Sequence, residues 1–415
     1  MTKDLHYIAS GCSYLRINSP RNYEDDRNRE FINNTFRKLT DTSKRHEFGL
    51  LFNAFTESTF GERFSKYDGH MHTHADSGGL QVITQGKTIT PELKDKVYEV
   101  QAKWSDLGMC FDEIPIGMTG TTSGRNDVTN RWYKADEMEH YARETGRNIA
   151  RQIEVYHKLD SKCKPILIAQ GNCYDSYMRW VDLIMEEIPR ENHQYIGGVA
   201  MGAAALGTGT LEDIERAFIF SQLQLDVKHL HVLGVGSVKR LYPYLVFQDS
   251  GLYKDITLSY DSTSHTSGGE LANYYTKDFK RLSFTRQYSK HYETIFEEIA
   301  QFIDVSDLDP REFHAIMNNG YTKYVEELKK EDFDFLRCRT GIIVRMIHNF
   351  INHVEHVMES QDNMCNDAMQ HNLHTQVKFL YNIKDKSDFD NWSRLFKRTV
   401  KSARVQSGQP LELEF

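Results

Sequence analysis

His70-Met71-His72-Thr73-His74-Ala75-Asp76-Ser77-Gly78-Gly79-Leu80-Gln81-Val82-Ile83-Thr84-Gln85-Gly86 is the stretch around which the chain is organised. Between Asp76 and Gln81 it sets an acid, a hydroxyl, two glycines and an amide. Paired glycines let backbone approach a ligand closely, because no Cβ intervenes. Asp76 offers a carboxylate beside backbone N–H groups, and Gln81 an amide that donates and accepts. Such a loop suits a flat, polar, hydrogen-bonding ligand. A Gly-Gly turn of this composition is equally an ordinary loop.

Outward from this stretch, short apolar runs alternate with helical patterns. Leu5–Ala9 and Phe48–Phe55 read as strands, with a helix over Arg27–Leu39 between them. Thr90-Pro91-Glu92, a cap residue followed by proline at the first helical position, opens a helix over Pro91–Leu107. Leu107–Ile114 reads as a strand ending in acids and stopped by Pro115. Strands over Pro165–Ala169, Tyr195–Met201, Leu230–Val235 and Asp255–Tyr260 alternate with helices over Asp136–Leu159, Tyr177–Glu187 and Leu211–Leu225.

This alternation implies parallel βα units, and about eight strands fit a closed TIM (β/α)8 barrel. The site of such a barrel lies at the C-terminal ends of its strands. Asp76, Asp112, Gln170, Gly198, Gly236 and Asp261 all fall there in the pattern. A doubly wound sheet would gather them at a switch point instead. The barrel is expected over residues 1–275, and a mainly helical region over 276–415. Within that region Ile342–Met358 is amphipathic.

Bulk properties narrow the function. The chain has 415 residues and 39% hydrophobic content, enough for a large core. A net charge of -8 argues against a protein held to nucleic acid by bulk charge. Local basic clusters remain: Lys277, Lys280, Arg281, Arg286 and Lys290, and a helix face with Arg394, Lys397, Arg398, Lys401 and Arg404. The second reads either as a solvated face or as a phosphate-contacting stripe. The six cysteines show no pairing pattern, which points to free thiols in a reducing compartment. With no apolar leader and no membrane-length run, a soluble cytoplasmic protein is expected.

Three carboxylates, Asp76, Asp112 and Asp261, are expected to face one pocket. Paired carboxylates suit displacement at a sugar carbon, one attacking C1′ and the other managing protons. A third can accept two donors from one ligand edge, such as N1–H and N2–H2 of guanine. Each aspartate alone reads as readily as a helix cap. A different chemistry is also open. His70, His72 and His74 alternate and would share a strand face. His72-Thr73-His74 with Asp261 imitates the HxH and aspartate of metal-dependent amidohydrolases. A non-catalytic partner subunit is a third reading, opposed by the joint presence of Asp76 and Asp261.

Several segments carry a family resemblance. Asp76-Ser77-Gly78-Gly79-Leu80-Gln81 resembles the DSGGxQ motif of the tRNA-guanine transglycosylase family. Met109-Cys110-Phe111-Asp112-Glu113-Ile114-Pro115 resembles its FDE segment, and Ile168-Ala169-Gln170-Gly171-Asn172 its VQG segment. Tyr195-Ile196-Gly197-Gly198-Val199-Ala200-Met201-Gly202 resembles its GGLAVG loop, and Leu233-Gly234-Val235-Gly236 its MGVG segment. Tyr260-Asp261-Ser262 stands where the family carries its nucleophile. The resemblance implies a TIM barrel and a covalent glycosyl-enzyme, with Asp261 as nucleophile and Asp76 as general acid/base. It implies that Ser77, Gly78, Gly79, Gln81, Asp112, Gln170, Gly197, Gly198 and Val199 hold the base, with Tyr67 or Tyr260 stacking on it.

The departures are informative. The family's CxCxxC zinc motif is absent, and His348 resembles a last ligand without partners; no cofactor is expected. Ser264–Gly269 replaces an arginine-containing stretch, and Ala203 replaces a glutamate. The pattern resembles the DNA-guanine transglycosylases of bacteriophages and bacterial modification islands. It implies exchange of guanine in DNA for a preQ0-type 7-deazaguanine, with tRNA as the alternative polymer. Arg281, Arg286, Arg394, Arg398 and Lys401 would contact the nucleic acid, and the family's dimers make a homodimer an expectation.

Overall fold

The computed structural model describes residues 5–10, 41, 48–56, 71–114, 116–122, 125–130, 133–202, 210–223, 225–235, 238–253, 255–263, 273–275, 281–283, 349, 352–353 and 380–395. Eight parallel strands close a barrel. They are β1 (Leu5–Ala9), β2 (Phe48–Asn53), β3 (Met71–Asp76), β4 (Leu107–Met109), β7 (Lys164–Ala169), β8 (Gly198–Met201), β9 (His229–Val232) and β10 (Thr257–Ser262). Their order around the ring is β1-β10-β9-β8-β7-β4-β3-β2. A hairpin of β5 (Ile116–Thr122) and β6 (Arg125–Asn130) is inserted after β4. The expected TIM barrel is therefore present.

Helices α2 (Pro91–Trp104), α3 (Ala135–Lys158), α4 (Tyr174–Glu187), α5 (Thr210–Gln222) and α6 (Tyr242–Asp249) connect the strands, after a short α1 (Gly79–Thr84). The start of α2 is as the sequence predicts: Thr90 Oγ1 accepts from Leu93 N at 3.3 Å, and Pro91 follows at the first helical position. Strands buried on both faces read as apolar runs, which is why Leu5–Ala9 and Lys164–Ala169 are legible.

Several details differ from the pattern, among them the helices over Gly79–Thr84 and Tyr242–Asp249, which the pattern reading lacks. Residues 71–76 form a full barrel strand leading into the Gly-Gly turn, not a loop. Alternating His and Thr with few apolar residues conceals a strand whose inner face is polar. The strand at residue 107 stops at Met109, well before the acids. The strand expected over Tyr195–Met201 begins only at Gly198, after a 3-10 turn over Arg190–Tyr195. The 116–130 hairpin has no counterpart in the pattern reading.

Buried amides tie the helices to the strand ends that carry the site. Gln101 of α2 donates from Nε2 to Ala75 O (3.2 Å) and Met109 O (2.9 Å), bridging β3 and β4. Gln152 of α3 donates to Gln101 Oε1 (2.9 Å) and Gly108 O (3.0 Å). Asn148 donates to Phe111 O at 3.0 Å and accepts from Lys94 Nζ at 2.7 Å. A buried amide without partners would be costly, so this network fixes one arrangement of the backbone ahead of Asp76 and Asp112.

Most of the helical region expected over 276–415, with Arg286, His348, Arg398 and Lys401, lies outside the described residues. Tyr67 and the helix expected over Arg27–Leu39 lie outside them too. Short strands β11 (Asn273–Tyr275) and β12 (Arg281–Ser283) pair antiparallel across the expected boundary, with Arg281 opposite Tyr275. A helix over 386–395 packs Phe389 flat on Phe218 of α5, ring centroids 4.3 Å apart, and buries Trp392. His353 lies against Tyr7 and hydrogen-bonds the Tyr260 hydroxyl at 2.8 Å.

Candidate active site at the barrel mouth

Asp76 is the last residue of β3, and its backbone O accepts from Ala54 N at 2.9 Å. The chain then turns through Ser77 and Gly78 into α1. Gly78 has φ 76°, a left-handed conformation that favours glycine. A Cβ there would stand 2.6 Å from Asn53 Oδ1 and 2.7 Å from Phe55 Cβ. Gly79 is not constrained in this way: its nearest neighbours would be 3.7 and 3.8 Å away. Ser77 is buried, with its Oγ accepting from Gly79 N at 3.4 Å. Gln81 lies on α1, its buried Oε1 without a hydrogen bond among the described residues.

Asp112 and Gln170 meet directly. Asp112 follows β4, Gln170 follows β7, and Gln170 Nε2 donates to Asp112 Oδ2 at 2.7 Å. Burial pushes the Asp112 carboxyl up to about 7; the nearby Asp76 charge adds to the rise, and the Gln170 bond opposes it. Gln170 Oε1 is buried and has no hydrogen bond among the described residues. Gly202, just past β8, lies against this amide, and a Cβ there would stand 2.5 Å from Gln170 Cδ.

Asp261 lies within β10 and is buried. Its Oδ1 accepts from Gly234 N at 2.7 Å and from His231 Nε2 at 3.3 Å. His231 Nδ1 meets Ser259 Oγ at 2.7 Å, and the same hydroxyl meets His229 Nε2 at 2.6 Å. One arrangement of protons satisfies all three contacts. His229 Nε2–H donates to Ser259, Ser259 O–H to His231 Nδ1, and His231 Nε2–H to Asp261, with both rings neutral. Both of these hydrogen bonds fall on Oδ1, and among the described residues none falls on Oδ2.

Asp76, Asp112, Gln170 and Asp261 are thus all carried at the C-terminal side of the barrel. Gly197, Gly198 and Val199 are not. Gly198 opens β8 level with Ile166 and His229, and Gly197 N donates to Pro165 O at 2.9 Å. A Cβ on Gly197 would meet Lys164 Cβ at 2.6 Å, and one on Gly198 the His229 O at 2.5 Å. The expectation that Gly197 and Gly198 hold a ligand at the mouth is therefore corrected: they allow close strand packing at the opposite end, and Val199 is fully buried in the barrel wall. Gly202 takes the place at the mouth. Tyr260, a candidate stacking residue, instead turns its hydroxyl to His353.

His229, His231, Ser259, Gly202 and Gly234 are site residues that sequence reasoning assigned no role. The signal was there in part: His229-Leu230-His231 and Ser259-Tyr260-Asp261 alternate as inward-facing polar positions do on a strand. Arg394 is exposed on the 386–395 helix, donating to Asn391 Oδ1 at 2.7 Å. No helix among the described residues is long and apolar enough to cross a membrane. No protein-family model and no curated protein matches the chain.

Proposed function

We propose that the protein is a DNA-guanine transglycosylase that replaces guanine with a 7-deazaguanine such as preQ0. The observation that carries this reading is the convergence of Asp76, Asp112, Gln170 and Asp261, from four separate strands, on one end of the barrel.

Asp112 and Gln170 read the base. An ionised Asp112 accepts from N1–H and N2–H2 of guanine, and the Gln170 amide lies alongside to contact the same ring. Asp261 Oδ2 attacks C1′ as the C1′–N9 bond breaks, and the electron pair leaves with the purine. Asp76 supplies the proton that the departing base takes up. In the second half the incoming base gives its N9 proton to Asp76. N9 then bonds to C1′, and Asp261 leaves as a carboxylate. Gly234 N–H and His231 hold Oδ1 in both steps, so the nucleophile does not rotate between attack and departure. A flipped-out nucleotide is needed, at a cost of a few kcal/mol in a duplex. Exposed Arg394, with Arg281, Arg286, Arg398 and Lys401, is assigned to the phosphate contacts that offset it.

Incubation with labelled guanine and either duplex DNA or tRNA tests this. Label retained by DNA supports the reading. Label retained by tRNA alone transfers the same chemistry to the other polymer, and label in neither overturns it.

A further inference from the structure

The interior of a parallel barrel is ordinarily filled by branched apolar side chains. Here imidazoles occupy it. His6 of β1 stacks on His72 of β3, centroids 5.2 Å apart, with β2 between the two strands; there a Cβ on Gly49 would stand 2.5 Å from Ile8 Cδ1 and 2.7 Å from His72 O. His74 of β3 faces His229 and His231 of β9 edge-on, at 5.3 and 5.4 Å.

We propose that His74, His229 and His231 form a binding site for a divalent transition-metal ion, zinc foremost, inside the barrel beside Asp261. This goes beyond base exchange and does not depend on it. One ligand nitrogen from each of the three rings lies within 4.8 Å of the others. Zinc–nitrogen bonds of about 2.0–2.1 Å require the nitrogens to close to about 3.3 Å, a movement of under about 1 Å each. Small ring rotations supply it.

Three further observations favour a ligand over plain packing. His74 is buried, and its Nδ1 has no hydrogen bond among the described residues. Ser259 Oγ can accept from one nitrogen of each of His229 and His231, as outer hydrogen-bond partners do around metal ligands; on loading, His231 moves its proton from Nε2 to Nδ1, gives up its hydrogen bond to Asp261 and leaves Nε2 for the metal. The Asp261 carboxylate, 3.3 Å from His231 Nε2, is in reach as an oxygen ligand. All-imidazole sites with a carboxylate suit zinc and its first-row neighbours over magnesium or calcium. A loaded site would occupy Asp261, so metal binding and nucleophilic use of that carboxylate exclude each other.

The test uses the full chain without an affinity tag, stripped with a chelator. It is titrated with Zn²⁺ by calorimetry and with Co²⁺ by visible absorption. We expect one metal per chain, cobalt bands of low-coordinate nitrogen ligation, and a melting temperature raised by Zn²⁺ but not by Mg²⁺ or Ca²⁺. His74→Ala and His231→Ala should each weaken binding at least about a hundredfold. The chain has 18 histidines, so location matters: His72→Ala should bind as wild type does. Wild-type protein that takes up neither metal stoichiometrically overturns the proposal, whatever the variants do. So does undiminished binding by a folded His74→Ala/His229→Ala chain.

Discussion

Gln170 Nε2 donates to Asp112 Oδ2 at 2.7 Å, joining the segments that follow β4 and β7 at the C-terminal side of the barrel. The bond is charge-assisted when Asp112 is ionised, and it works against the burial that favours the protonated acid. Removing it should therefore act on the base and not on the barrel. Gln170→Ala is expected to weaken guanine binding about 10- to 100-fold, the cost of about 1–3 kcal/mol for an unsatisfied buried partner. Equilibrium binding of the free base measures this; unchanged affinity would remove Gln170 from the site.

Asp112 makes stability depend on pH. Its folded value of about 7 lies above the unfolded value of about 3.9. Over that interval the folded chain holds a proton that the unfolded chain has released. The group's contribution is thus most favourable below about pH 4 and is lost as pH rises toward 7. Asp112→Asn should flatten this slope and stabilise the protein at pH 8 by on the order of 4 kcal/mol. Urea unfolding at pH 5 and 8 reads it directly, and parallel slopes for the two proteins would contradict the assignment. Guanine donors need the ionised acid, so wild-type affinity for guanine should rise between pH 6 and 8.

The paired glycines should separate by substitution. Gly78→Ala places a side chain at positive φ and against Asn53 and Phe55, and should cost about 1–3 kcal/mol of stability. Gly79→Ala meets nothing closer than 3.7 Å and should leave the melting temperature near wild type. Equal destabilisation by both would show that the turn differs from the one described.

Asp261→Asn should abolish base exchange, by at least about 10³-fold, while the fold and nucleic-acid binding persist. The amide keeps the oxygen that accepts from Gly234 N–H and loses the nucleophile. A denaturation-stable adduct with DNA, present in wild type and absent in the variant, is the accompanying readout. Wild-type exchange by the Asn variant would dismiss Asp261 as the nucleophile.

Neutralising Arg394, Arg398 and Lys401 together should weaken DNA binding and lower the slope of log affinity against log salt by up to about 2.7, without changing which base is accepted. An unchanged slope would place the phosphate contacts elsewhere.

The fold was legible because strands buried on both faces must be apolar. Leu5–Ala9 and Lys164–Ala169 are short, separated by helical patterns, and are assembled most simply as parallel units. Asp112, Gln170 and Asp261 could be named from the chain because each follows or ends such a run, and strand ends in a barrel share one face; Asp76 could be named from its polar Gly-Gly stretch, since its own strand is not apolar. Register was not legible. Gly197 and Gly198 sit beside an apolar run just as Gly202 does, and only hydrogen bonds such as Gly197 N to Pro165 O decide which end of β8 each occupies. Spacing is local, whereas register is set by neighbouring strands far away in sequence. For the same reason the alternating histidines of β3 could be read along the chain, but not their meeting with those of β9. The closed ring alone turns both inward and brings His74 to His229 and His231 across more than 150 residues of chain, beside the His231–Asp261 contact.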